Sequence, residues 1–393
     1  MVEMVRTRAV RLEDIASVNP RLSQKIDPST LVSFVGMADL SADRAVTEAA
    51  DARPYGDVAK GYTAFQDGDL LVAKITPCFE NGKIGQARLS HRLGFGSTEF
   101  HVVRPRPELA DARFLLHFLR SPRFRAAGEM RMTGSGGQRR VPVDYINQAQ
   151  LYLPSLDEQR RIAAILDKAD ELRTKRRQAL IHLDALSSAA FQVLLARENW
   201  PKRPFGELCS RVTVGVVVKP ASHYVSDGIP ALRSLNVRSG GLVMENLVHF
   251  SETSHNGPLR KSQLRPGDIV TVRTGNAGTS AVVPANAGPM NAIDLIIATP
   301  TPGLLSPEYA VAFMNSDDGR RMVLGESRGQ IQQHFNVKSL QKSHIPVPPI
   351  HVQHELASRL AQIDHLRRVQ QSQLTEFDAL FASLQHRAFN GEL

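Results

Sequence analysis

Leu151 to Arg173 reads LYLPSLDEQRRIAAILDKADELR, and Ile345 to Arg367 reads IPVPPIHVQHELASRLAQIDHLR. Laid side by side without a gap, Pro154 meets Pro348, Gln159 meets Gln353, Ala163 meets Ala357, Leu166 meets Leu360 and Asp170 meets Asp364. Leu172-Arg173 meets Leu366-Arg367, Leu180 meets Leu374, and Asp184-Ala185-Leu186 meets Asp378-Ala379-Leu380. An ungapped match of this length is an internal duplication. Each copy is a short extended lead-in, proline, and a long amphipathic helix. In the first helix Ile162, Ile165, Ala169, Leu172, Arg176, Ala179, Leu183, Leu186, Ala190 and Val193 step by three and four, a heptad seam with one polar breach at Arg176. In the second, Leu356, Leu360, Ile363, Leu366, Leu374, Phe377, Leu380 and Leu384 make a looser stripe, with Gln370 at the position of Arg176. Ser155 and Glu158 suit a capping box at the first helix start, and Pro201 ends that helix. A forty-residue helix is roughly 60 Å long at 1.5 Å per residue. Two such helices in a duplicated chain pair most simply antiparallel, with one globular unit at each end.

The stretches outside the helices repeat too. RLEDIASV is mirrored by PFGELCSRV, VSFVGMADL by IPALRSLNV, DGDLLVAKI by PGDIVTVRT, STEFHVVRP by NAIDLIIATP, and ARFLLHFLRS by PEYAVAFMNS. TGSGGQRRVPV answers to ESRGQIQQHFNV. DGDLLVAKI is a tight turn leading into a β-rich run, Asn81-Gly82 marks a second turn, and Ala112 to Arg125 reads as one short helix. The order of elements is shared while loops and surface residues differ, as in two recognition modules of different specificity. The expected fold class is α+β. It has two similar globular domains at 1–150 and 201–344 and two long antiparallel helices at 151–200 and 345–393, related by a pseudo-twofold.

The bulk numbers agree with more than one domain: 393 residues, 42% hydrophobic and 22% charged, a globular balance. Lys plus Arg outnumber Asp plus Glu by 48 to 39, a net charge of +9 that favours a polyanionic partner, nucleic acid before membrane. No run of 18 apolar residues occurs, and Cys78 and Cys209 form no CxxC, which fits a reducing cytoplasm and excludes a cysteine-built zinc site.

Enzyme signatures are missing. There is no GxxxxGK[ST] loop for a nucleotide phosphate, no GxSxG elbow, and His351 and His354 lack HExxH spacing. In TGSGGQRR, Arg139 stands where the third glycine of a dinucleotide fingerprint belongs. The (D/N)PP(Y/F) tetrapeptide of amino-methyltransferases is also missing. Asp69 and Asp268 follow turn glycines without an ExK partner, so a turn-and-strand role outranks a nuclease carboxylate.

LPSLDEQRRIAAILDKAD, its IPVPP repeat, the paired GD(L/I) turns and the AFNGEL stretch resemble the specificity subunit of type I restriction–modification systems, over essentially the whole length. The resemblance implies two target recognition domains joined by helical spacer regions. It implies a DNA-reading subunit without catalysis of its own and without a cofactor. Two modification subunits carrying S-adenosylmethionine for adenine N6 methylation would dock on the helices, and restriction subunits would bring ATP, Mg and DNA cleavage. Glu158, Gln159, Arg160 and Gln353 at the helix starts are the candidate docking residues. His351-Val352 replaces the usual acidic lead to the second glutamine.

Double-stranded DNA is read by arginine and lysine on phosphates and by arginine, asparagine and glutamine on base edges. Near the predicted turns, the candidates are Lys74, Asn81, Lys83, Gln138, Arg139 and Arg140 in the first module, and Arg273, Asn276, Arg328, Gln330, Gln332 and Gln333 in the second. Arg139 and Arg140 are expected on phosphate. Two readings compete: a combined restriction–methylation enzyme, which the missing tetrapeptide disfavours, and a coiled-coil scaffold with no nucleic-acid role.

Overall fold

The computed structural model describes residues 8–22, 25–49, 51–135, 137–197, 200–324 and 335–393. The chain folds as two units, Met1–Gln178 with Ser372–Leu393, and Ala179–Gln371. Each unit holds one globular module and a portion of both long helices, Leu156–Arg197 and Ile350–Asn390.

The module of the first unit is built on two sheets. One is five-stranded, in the spatial order Ala16–Val18, Phe100–Pro105, Leu70–Ala73, Ile84–Arg88, Val46–Glu48. The other is four-stranded, in the order Asp51–Pro54, Leu31–Val35, Leu93–Gly96, Thr63–Gln66. Leu70–Ala73 is buried at every position, because it is the middle of its sheet and is covered on both faces. The turn before it needs Gly68 in the left-handed region, φ 84°. Ala112–Leu119 is capped by Asp111, whose carboxylate accepts from Phe114 N. A second helix, Pro122–Glu129, follows where the sequence predicts a single one to Arg125. Pro122 has no N–H to continue the first helix, and Ser121 caps a new one with proline at its start.

The module of the second unit repeats that order. Cys209–Val214, Leu295–Pro300, Ile269–Val272 and Ser280–Val282 form a four-stranded sheet matching the first four strands above. Ile229–Leu232 lies parallel to Met290–Ala292, as Leu31–Val35 lies parallel to Leu93–Gly96. Ser306 caps Pro307–Asn315 as Asp111 caps Ala112–Leu119. Divergence sits at the edges: Val46–Glu48 is a parallel edge strand in one module, Tyr224–Val225 pairs with Val248–Phe250 in the other. Each module is closed where the chain enters and leaves it, by Arg8–Arg11 against Gln150–Leu153 and by Lys202–Pro204 against His344–Pro346, both antiparallel. The LYLP and IPVP lead-ins are the exit strands.

Asp69 and Asp268 are interior residues, 2% and 0% exposed. Each accepts from the backbone N–H three residues before it, Gln66 and Arg265, at 2.7 and 2.9 Å. Each is then neutralised by an arginine from a different strand. Arg104 Nε and Nη2 reach Asp69 at 2.8 and 2.7 Å, whereas Asp268 takes Arg211 Nη2 at 2.6 Å and Thr299 Oγ1 at 2.5 Å. Arg104 faces Ser17 across its strand pair, and Thr299 faces Arg211 across the equivalent pair. The duplicated site keeps the acid and moves the base to the neighbouring strand.

Within each unit the two helical portions run antiparallel. In the first unit Arg173 Nε and Arg177 Nη2 donate to Asp378 at 2.6 and 3.2 Å, the Arg173 guanidinium lies over Phe381, and Ile162 shares a core with Ala388. In the second, Arg367 Nη2 meets Asp184 at 2.7 Å, while Phe191 and Leu194 share a core with Leu356. The counted seam fails in its second half: Leu186 is 53% and Val193 56% exposed, and Phe191 and Leu194 are buried instead. An α-helix drifts about 20° per heptad against a 3.5-residue repeat. Over the four heptads from Ile162 to Ala190 the drift sums to about 80°, near the 100° between adjacent residues, so the buried stripe shifts by one. Leu366 and Leu380 are exposed as well.

The first helix is fastened to its module by charge. Asp167 accepts from Arg113, with Nε at 3.0 Å, and lies 2.7 Å from His117 Nε2. Burial works to raise the Asp167 pKa, but His117 and Arg113 outweigh it and hold the carboxyl at about 2, below its ordinary 3.8. A depressed carboxylate stabilises the fold in full above its unfolded pKa and loses that contribution as pH falls through the folded one. Asp167→Asn should therefore flatten the acid limb of the first unit's stability between about pH 4 and pH 2. Urea unfolding across that window reads it, and a wild-type slope in the variant refutes it.

Candidate nucleic-acid interface

The first module gathers its predicted residues at one place, where strand Leu70–Ala73 leaves its sheet. Thr133 and Arg140 pair through Thr133 N to Arg140 O and Arg140 N to Thr133 O, at 3.0 and 2.8 Å. The residues flanking Arg140 are latched to the strand end by Thr76 N to Arg139 O at 3.0 Å and Val141 N to Lys74 O at 2.8 Å. The turn carrying Asn81 and Lys83 is tied by Asn81 N to Pro77 O and Lys83 N to Cys78 O, both 3.0 Å, and Gly82 takes φ 76° at its apex. Two peptide segments distant in sequence therefore present their side chains from one rigid backbone platform.

The side chains divide by freedom. Asn81 and Gln138 are exposed, and Lys74 is half-buried. Lys83 Nζ donates to Met37 O at 3.0 Å, so that lysine ties down a neighbouring loop. Arg139 stands 3.8 Å from Glu80, a loose pair. Arg140 is clamped on Glu99, Nε to both oxygens at 3.1 and 3.0 Å and Nη2 to Oε1 at 2.7 Å. Those bonds from Arg140 pull the Glu99 carboxyl below its ordinary value and raise the guanidinium's. His101 beneath them is buried, and burial pushes its pKa down against the Val141 carbonyl 2.8 Å from Nε2. Sequence reasoning overlooked Glu99 and also Arg125, whose Nη1 donates to Glu80 O at 2.8 Å and packs over Gly82. The sequence does mark the acid: within STEFHVVRP and within its repeat NAIDLIIATP, an acid stands directly before the apolar run that becomes the strand.

In the second module Arg273 sits at the end of Ile269–Val272, the position of Lys74, and its Nη1 donates to Asp294 Oδ1 at 2.6 Å. Thr274 Oγ1 reaches the other oxygen at 3.1 Å. Asn276 is exposed on a turn that needs Gly275 at φ 79°, and its Oδ1 accepts from Arg320 at 3.2 Å. Arg328, Gln330, Gln332 and Gln333 lie outside the described residues.

The docking candidates separate as well. Glu158 is paired with Arg161 near the surface and Arg160 is exposed. Gln159 and Gln353 are each 0% exposed, which corrects their expected place on a docking face. Gln159 Oε1 accepts from Asp111 N at 2.9 Å, and its Nε2 donates to Leu109 O and Pro154 O at 3.0 and 2.9 Å. Gln353 does the same with Ser306 N, Leu304 O and Pro348 O at 2.9, 3.1 and 2.8 Å. Both amides pin a long helix to the loop that caps a module helix.

Residues 8–182 match the family model of the type I restriction modification DNA specificity domain. Over that stretch the chain is similar to this family. The type I restriction enzyme EcoAI specificity subunit of Escherichia coli is 37% identical over 179 residues, 44% of this chain and 30% of that one, so the match spans under a third of the relative's length. Two solved structures extend the likeness of fold beyond the specificity domain. The S subunit of a type I restriction-modification system from M. genitalium has TM-score 0.58 at 13% identity, covering 99% of this chain and 98% of its own. A chain from a structure of type I R-M complex assembly and conformational transition has TM-score 0.57 at 20% identity, with 98% of both chains covered. The first module's predicted residues, from Lys74 to Arg140, lie wholly inside the matched specificity domain. Among the described residues no cluster of His, Cys, Asp and Glu could hold a metal ion, and no helix is long and apolar enough to cross a membrane.

Proposed function

We propose that this chain is the DNA-reading subunit of a cytoplasmic type I restriction–modification assembly, without catalysis or cofactor of its own. The observation that carries the reading is the specificity domain in residues 8–182 followed by a second module of the same strand order. Two similar modules with unequal loops read two unequal half-sites of one asymmetric target. Phosphate contacts come from Arg139 and Lys74, and base contacts from Asn81, Gln138 and Asn276 on exposed turns. Genome-wide mapping of N6-methyladenine with and without the gene tests it: a bipartite motif should vanish with the gene. Loss of no motif sinks the proposal.

Two modification subunits and the restriction subunits, carrying S-adenosylmethionine, ATP and Mg, complete the assembly. The long helices offer them exposed Ile181, Leu186, Val193, Leu366 and Val369, beside Glu158 and Arg160 at the first helix start. Leu186 and Val193, seven residues apart, lie on one face of the first helix, and exposed apolar side chains sharing a face favour a protein partner over bare solvent. Helix length would set the count of unread base pairs. Inserting one seven-residue repeat into each long helix adds about 10 Å, or roughly three base pairs, to the gap and leaves both half-sites intact. An unchanged gap in the methylation map refutes the spacer role.

A further inference from the structure

At the same position of the repeat, each module carries an acid that holds an arginine. Glu99 directly precedes Phe100–Pro105 and Asp294 directly precedes Leu295–Pro300. Their offset, 294 − 99 = 195, is that of the strands they precede, 295 − 100 = 195. The arginines come from different places: Arg140 from a loop, Arg273 from the end of strand Ile269–Val272. As at Asp69 and Asp268, the acid keeps its place and the base does not. Asp294 adopts φ 50°, a left-handed backbone that aspartate takes more readily than most side chains.

These are not core pairs. Each pair has one partner open to solvent, Arg140 at 42% and Asp294 at 46% exposed, and one more buried, Glu99 at 24% and Arg273 at 19%. Each therefore meets water on one side, and pairs that open to water stabilise a fold by about 0–1 kcal/mol. We infer that Glu99 and Asp294 are specificity-determining positioning residues, which turn Arg140 and Arg273 away from phosphate and towards a guanine edge. The inference rests on the DNA-reading function proposed above. A guanidinium neutralised by a carboxylate releases no counterion when it meets a phosphate, and the carboxylate itself repels one. What remains is a fixed plane of donors. The Nε–Nη2 edge of Arg140 is spent on Glu99, while Nη1 makes only a 3.4 Å contact with Gln138 O among the described residues. Arg273 holds Asp294 through Nη1 and its Nε is buried, so the donors left for an acceptor outside the protein are Nη2 and the second proton of Nη1. A planar donor fork held from behind suits the two acceptors, O6 and N7, that guanine alone presents in the major groove. Arg139, loosely paired with Glu80, is left for phosphate.

The test uses the full chain with E99Q and D294N made separately, each checked for an unaltered urea melt. A duplex library randomised at every position gives base preference, and titration over a salt series gives the slope of log K against log[salt]. For E99Q a G·C preference at one position of a single half-site should fall about ten-fold, and the slope should steepen by about 0.9, one newly available phosphate contact. D294N should do the same at a position in the other half-site. Unchanged preference and slope, a flatter slope, or an equal loss at both half-sites overturns the inference. A wild-type chain that shows no sequence preference in the library overturns the DNA-reading function itself, and this inference with it.

Discussion

Asp268→Ala should destabilise the second unit by about 3–5 kcal/mol, because it removes one member of a buried ion pair and leaves the other uncompensated. Asp268 is 0% exposed and gathers Arg211, Thr299 and the Arg265 N–H on two oxygens. In a unit of this size that loss lowers the melting temperature by roughly 10 °C. The repeat supplies a sharper version. In the first module the base for Asp69 stands at the position of Thr299, and serine stands at the position of Arg211. Arg211→Ser alone should cost several kcal/mol, and adding Thr299→Arg should recover a large part by delivering the base from the other strand, as Arg104 does. If the double variant melts no higher than the single one, the two sites are not interchangeable solutions to the same burial.

Most of the fold was legible because duplication prints it twice. The strand-order match follows directly from DGDLLVAKI against PGDIVTVRT and STEFHVVRP against NAIDLIIATP, since hydrophobic runs ended by turn residues leave few alternatives. The exit strands were legible from the proline lead-ins. Three things were not. The helix stripe was miscounted at Leu186 and Val193, because heptad counting holds for a supercoiled seam while these helix ends bury themselves in a module core at Phe191 and Leu194. The Ala112 helix stops at Leu119, because Ser121-Pro122 is a start signal that the apolar spacing of Phe118 and Phe124 hides. At the interface, turn chemistry places Asn81, Gln138 and Asn276 on exposed turns, while the acids behind the arginines were missed. Local spacing says nothing about Arg140 and Glu99, which are far apart in sequence and meet only when the chain at Arg140 folds back on the strand end.

Gln353→Ala should cost the second unit on the order of 3 kcal/mol, since Ser306 N, Leu304 O and Pro348 O would all be left in a dry pocket, at about 1–3 kcal/mol for each group that finds no water. Gln159→Ala should do the same to the first unit. Gln353→Glu is the more telling change: it keeps the acceptor for Ser306 N, loses both donors, and aims a charge at two carbonyls, so it should be no better than alanine despite its shape. Glu158→Ala and Arg160→Ala, by contrast, should shift stability by no more than about 0.5 kcal/mol, because both side chains meet solvent. Their effect should appear in capture of the modification subunit. The two pairs of variants thus separate the roles that share one short motif. DEQR places Gln159 one residue from two surface charges, and helix geometry turns neighbours about 100° apart, so the glutamine faces the module while Glu158 and Arg160 flank it. A Gln353→Ala protein with a wild-type melt and weakened capture would return the glutamine to the docking surface.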